Sequence, residues 1–180
     1  MEISIKTIGS ILGLVLMAFL VNAVTTLKFG SLKELAFEKP KSYVSADNVD
    51  RVLDCLAMNI YKEAGRESFE GKVAVAQVTL NRVDNPKFPK DICNVVHQKN
   101  VIMEKVVCQF SWYCDGHDKT KPNNKEYKES YQVAKKVLLE GFRIDILNDA
   151  LYYHAVYINP VWPHVQVAKI GNHIFYKERK

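Results

Sequence analysis

The chain has 180 residues, 48% of them apolar and 25% charged, with a net charge of +5. That balance is ordinary for a globular protein, and the length leaves room for one domain with a real core. The basic excess is spread along the chain, with no dense Lys/Arg block, zinc-finger spacing or Gly-rich phosphate loop; nucleic acid is therefore not an expected partner, whereas an anionic wall or membrane surface is.

Residues 8–27, from Ile8 to Leu27, carry no charge. A run of roughly 20 residues spans about 30 Å as a helix, enough to cross a bilayer. We read 1–27 as an N-terminal hydrophobic helix acting as a signal anchor or transmembrane segment; the small residues at Val21-Asn22-Ala23 also suit cleavage. Lysines on both sides of the run (Lys6, Lys28, Lys33) leave its orientation open. Residues 28–46 have mixed charge and little periodicity and read as a linker, ahead of a domain over 47–180.

Asp47 is placed to cap a helix running from about Asn48 to Ala64, with Gly65 as its stop. Val49, Val52, Leu53, Leu56 and Ile60 form one apolar stripe at helical spacing, and Glu63 continues that stripe instead of the wet face. A carboxyl group there is partly desolvated, which favours its neutral form and suits a general acid. The plainer alternative is a helix end reaching solvent. Ser68 caps a second helix, apolar on nearly all sides from Val73 to Val83 and therefore central. Its polar exceptions include Asn81 and Arg82. These either cap the helix end and pair with Glu67 or Asp84, or fix a catalytic loop; the structural role is favoured.

Asn85-Pro86 and Phe88-Pro89 break the chain, and a short helix follows over about Asp91–Gln98. Residues 99–124 read as loop. They hold Gln109-Phe110-Ser111-Trp112, where aromatic rings beside amide and hydroxyl groups suit sugar binding, the alternative being that the rings anchor the loop on the core. Asn123 or Asn124 caps a helix to Glu140, with Tyr127 and Tyr131 on its inner face and Gly141 as its stop. Residues 151–158 and 165–176 read as short antiparallel strands, with Tyr152, Tyr153, His154 and His173 available to face a cleft.

Cys55, Cys93, Cys108 and Cys114 form an even set behind an export signal and are candidate disulfide partners, in any of three pairings. No Cys-x-x-Cys spacing occurs, and the five histidines, His117 among them, lack helical ligand spacing, so no metal and no cofactor is expected.

Several ordered elements together carry a family resemblance. They are Tyr61-Lys62-Glu63-Ala64-Gly65-Arg66-Glu67, Gly71 through Asn81-Arg82-Val83, Phe88-Pro89, Gln109-Phe110-Ser111, Ala150-Leu151-Tyr152-Tyr153 and Gly171-Asn172-His173-Ile174-Phe175-Tyr176. In this order the chain resembles the SleB-type cell wall hydrolases, the spore-cortex-lytic enzyme family and its bacteriophage relatives, over residues 53–177. It departs in having Gly65-Arg66 where the family has Arg-Gly.

The resemblance implies an α+β, lysozyme-like fold, with a helical core holding Glu63 and a small antiparallel sheet as the other cleft wall. It also implies peptidoglycan as substrate, cut at the β-1,4 bond between N-acetylmuramic acid and N-acetylglucosamine by a lytic transglycosylase with Glu63 as its single acid and base. Glu67, Asn81, Arg82, Gln109, Ser111, Trp112, Tyr152, Tyr153 and His173 are then the binding or supporting residues. Glu67, Glu70 or Asp115 as a second carboxylate would give a hydrolysing muramidase instead. An amidase or a non-enzymatic wall-binding protein are the remaining alternatives. The layout resembles that of bacteriophage lysins, and the expected location is outside the inner membrane, anchored to it and facing the wall.

Overall fold

A computed structural model describes residues 43–116 and 120–179. The uncharged run read as a membrane anchor, the linker up to residue 42 and His117 lie outside the described residues. Among the described residues no helix is long and apolar enough to cross a membrane.

The elements in chain order are α1 (Val49–Ala64), α2 (Phe69–Asp84), α3 (Ile92–Val96), the hairpin β1 (Lys99–Ile102) and β2 (Lys105–Cys108), α4 (Lys125–Leu139), and the strands β3 (Tyr152–Ala155), β4 (Val165–Ile170) and β5 (His173–Lys177). This is the expected α+β architecture. α1 buries its stripe: Val52, Leu53, Leu56 and Ile60 are all at most 3% exposed, inside a cluster shared with α2, α3 and α4. Each such side chain contributes about 1.5–3 kcal/mol on burial. A second cluster of Ala74, Val78, Leu147, Ala150 and Phe175 joins the opposite side of α2 to the three-stranded sheet. α2 is therefore clasped on both sides, which explains why its sequence is apolar nearly all round. Its buried Gln77 bonds in both directions with the backbone of Ile144, accepting from the amide at 2.8 Å and donating to the carbonyl at 3.1 Å.

Local signals set most helix ends. The side chains of Ser68, Asp91 and Asn124 accept hydrogen bonds from the amides of Gly71, Asn94 and Tyr127. Asp47 does not cap α1: it sits in a 3-10 turn, Ala46–Asn48, and Asn48 takes the cap position without a side-chain bond. Gly141 follows α4 with φ of 72°, the left-handed geometry that ends helices.

The sheet order is β3-β5-β4, antiparallel throughout, with Tyr153 opposite Phe175 and Ala155 opposite His173. The stretch after Gln98 is not the loop expected. Lys99–Ile102 pairs with Lys105–Cys108 across a two-residue turn in which Met103 and Glu104 have φ of 48° and 64°. The hairpin projects into solvent, with Val101 73% and Met103 92% exposed. Cys55 on α1 is bonded to Cys93 on α3, and Cys108 at the end of β2 to Cys114. The second bridge closes a small ring carrying Gln109, Phe110, Ser111 and Trp112.

Candidate active site

Glu63 occupies the last turn of α1, where the buried stripe meets the surface, and is half-buried. Tyr153 on β3 faces it and donates its hydroxyl to Glu63 Oε2 at 3.1 Å. Burial pushes the Glu63 carboxyl above its ordinary value, opposed in part by this hydrogen bond and by the charge of Arg82. Burial and the facing carboxylate push the Tyr153 hydroxyl well up, so it stays a donor.

Arg82 is buried beneath the pair. Its Nε donates to the Leu151 carbonyl at 2.8 Å, and its guanidinium lies 5.1 Å from the Phe110 ring and 5.4 Å from the Phe88 ring. It thus ties α2 to the segment that leads into β3, and through it fixes where Tyr153 stands. Nη1 is buried without a partner.

Glu67 is turned to a different task. It accepts from the Asn172 backbone amide at 3.1 Å and from the Asn172 side chain at 2.9 Å, joining the α1–α2 turn to the β4–β5 turn. Burial alone would raise this carboxyl, but the two Asn172 bonds, with His173 and Lys72 nearby, outweigh it and hold it below the usual value. Gly171 has φ of 55°, the left-handed geometry that favours glycine, and a β-carbon there would make the Glu67 carboxylate shift.

Three hollows meet at Glu63. One, of about 510 Å³, runs along the α1–α2 turn past Glu67 to Asn124 and Glu126. A second, of about 490 Å³, is walled by Ser111, Trp112, Asp115, Tyr153, His154 and His173. A third, of about 330 Å³, is walled by Arg82, Gln109, Phe110, Ser111, Tyr152, Tyr153 and Trp162. Nearly every residue singled out in the sequence therefore lines a hollow shared with Glu63. Asn81 does not: its side-chain amide donates to the carbonyls of Leu147 and Ala150, on the far side of α2's end. Glu70 is exposed and lines none of the three. Burial pushes the His173 ring below its ordinary value, so it stands neutral in the second hollow.

Trp112 is both core and wall. It is 5% exposed, and its indole N–H donates to Asn59 Oδ1 at 3.1 Å; Asn59 in turn donates to Thr79 Oγ1 at 3.2 Å. Asn59 escaped the sequence reading. Its signal was present: a polar residue three past Leu56 and four before Glu63, on the buried face. Trp162 and the exposed Tyr157 also escaped: Tyr157 ends the stretch 151–158 read as strand but lies past β3, and Trp162 falls in the segment between the two stretches read as strands.

A family model described as Cell Wall Hydrolase matches residues 66–176. The chain belongs to the cell wall hydrolase family. The match begins three residues after Glu63. Similar curated proteins are the spore cortex-lytic enzymes of Bacillus subtilis (31% identical over 128 residues, 67% of this chain and 35% of the relative) and Bacillus cereus (32% over 133 residues, 69% and 44%). The chain spans less than half the length of these relatives.

Among solved structures, the catalytic domain of Bacillus cereus SleB is 27% identical with a TM-score of 0.53, covering 77% of this chain and 99% of that one. The catalytic domain of the germination-specific lytic transglycosylase SleB from Bacillus anthracis is 29% identical with a TM-score of 0.57, covering 74% and 100%. The fold of this member of the cell wall hydrolase family is thus that of the SleB catalytic domains, the lysozyme-like arrangement that the motifs imply.

Proposed function

We propose that the chain cleaves peptidoglycan at the β-1,4 bond between N-acetylmuramic acid and N-acetylglucosamine, as a lytic transglycosylase. One observation carries the reading: a half-buried carboxyl, raised above its ordinary value, stands under a tyrosine hydroxyl where three hollows meet. The hollows fall within the roughly 300–1,000 Å³ of ordinary ligand clefts. Membership of the cell wall hydrolase family supports the choice of substrate.

In the mechanism, protonated Glu63 donates its proton to the glycosidic oxygen as the bond from that oxygen to C1 of the muramic sugar breaks. Positive charge builds on the ring, and the glucosamine leaves with a free 4-hydroxyl. The Glu63 carboxylate then takes the proton of the muramic 6-hydroxyl while that oxygen closes onto C1. The acid is restored, and a 1,6-anhydro sugar results with no water consumed. One carboxyl suffices, unlike the two of ordinary glycosidases. The engagement of Glu67 with Asn172 favours this single-carboxylate route over the hydrolysing one. Tyr153 holds the orientation of Glu63, and the aromatic and amide groups of the hollows receive the sugars.

The uncharged run at 8–27 and the two disulfides support an exported enzyme held at the inner membrane with its domain facing the wall, as a phage lysin would be.

Product masses after digestion of peptidoglycan by the purified chain test the reading. Anhydro-muramic fragments are expected. Reducing muramic ends would point to hydrolysis, free stem peptides to an amidase, and no release to a wall-binding protein. Glu63→Gln should lower release at least ~100-fold; near-normal release by that variant would remove Glu63 from the mechanism.

A further inference from the structure

Trp162 lies outside the buried core. It belongs to neither buried cluster and is 40% exposed, on a loop pinned by Pro160 and Pro163 next to a fully exposed Val161. Tyr157, Ile158, Val161 and Val165 in the same stretch of chain are exposed too, so the indole is part of a run of exposed apolar side chains and not a single stray one. The ring is nevertheless held firmly. Tyr152, His154, His164 and Tyr176 surround it with centroids 5.4–6.3 Å away, and all four meet it at steep interplanar angles of 64–87°.

Its neighbours pair off differently. Tyr152 lies parallel to His164 at 4.1 Å and 4°, and His154 stacks on Tyr176 at 5.2 Å and 25°. Trp162 is thus braced by a rigid aromatic frame in which none of these four rings lies parallel to the indole. It also walls the hollow that holds Glu63 and the Gln109 amide.

We propose that Trp162 is a stacking platform for one pyranose ring in the hollow it shares with Glu63, forming a binding subsite for an N-acetylated sugar. The C–H-rich face of the ring lies flat on the indole, and the Gln109 amide takes a hydroxyl or the acetamido group. A braced ring loses little freedom when sugar binds, so more of the contact energy appears as affinity. The inference rests on the glycosidase reading, since the sugar would be the substrate's own.

Binding of the tetramer of N-acetylglucosamine to the full chain carrying Glu63→Gln tests it, because that variant holds sugar without consuming it. Intrinsic tryptophan fluorescence and calorimetry are the readouts. Adding Trp162→Ala should weaken binding at least about tenfold, with thermal unfolding unchanged, and Trp162→Tyr should keep most of it. In the otherwise unaltered chain, Trp162→Ala should raise KM on peptidoglycan more than it lowers kcat.

Equal affinity with and without the indole overturns the platform while leaving the glycosidase reading intact. A Glu63→Gln chain that binds neither the tetramer nor insoluble peptidoglycan, together with an unaltered chain that releases nothing, overturns both.

Discussion

Tyr153 donates to Glu63 and so works against the burial that raises that carboxyl above its ordinary value. A hydrogen bond to the ionised form favours ionisation, so removing the hydroxyl should raise the Glu63 pKa further. If Glu63 must be protonated to act, activity falls as pH rises through that pKa. Tyr153→Phe should therefore move the descending limb of the kcat/KM profile to higher pH, with a lower maximum because the carboxyl is less well aimed. A profile recorded over the acid and neutral range on peptidoglycan checks this, and an unmoved limb would detach Tyr153 from the titration. The sequence marked Glu63 because its place in a 3.6-residue stripe is local information. It did not mark the Tyr153 partnership, since the two residues are 90 apart in sequence and only the packing of β3 against α1 and α2 joins them. Asn59 is the intermediate case: its position on the stripe was legible, but its partners Trp112 and Thr79 were not.

At the level of elements, Glu67 is the rivet between the α1–α2 turn and the β4–β5 turn. Its carboxyl is held below the usual value in the folded chain, so its contribution to stability is present above the unfolded carboxylate pKa and fades as pH falls through the folded one. Glu67→Ala should cost about 1 kcal/mol at neutral pH by denaturant unfolding. The gap to the unaltered chain should close in acid, and a loss equally large at low pH would contradict the assignment. Helices were legible here because caps and periodicity agree, as at Ser68 and Asn124. The β1–β2 hairpin was not. Its turn is Met103-Glu104, without the Gly or Asn that usually signals left-handed geometry, and its strands are exposed on both faces, so no alternation appears. Trp162 was missed for a different reason: it falls between the two stretches read as strands, and neither periodicity nor a cap marks a ring there.

For the whole molecule, the two disulfides divide the labour. Cys55–Cys93 closes a loop 38 residues long through the helical core, and Cys108–Cys114 a loop of 6 beside the cleft. Chain-entropy reasoning gives about 4 kcal/mol for the first and about 2 kcal/mol for the second. Replacing Cys55 and Cys93 by Ala should therefore lower the unfolding midpoint more than replacing Cys108 and Cys114. The second replacement should cost more activity than its stability loss explains, because Gln109, Ser111 and Trp112 ride on that ring. Thermal unfolding beside peptidoglycan release separates the two effects. Four cysteines announced bridges but not their partners, since pairing is decided by which helices and turns come together. The pairing has a further outcome. Both bridges lie wholly on one side or the other of the hairpin tip, so a protease cut between Met103 and Glu104 would sever the last covalent link between two internally cross-linked pieces. One piece would carry Glu63 and the other Tyr153, and under the proposed mechanism catalysis would become a property of their reassociation, rising with the product of their concentrations as in a split reporter.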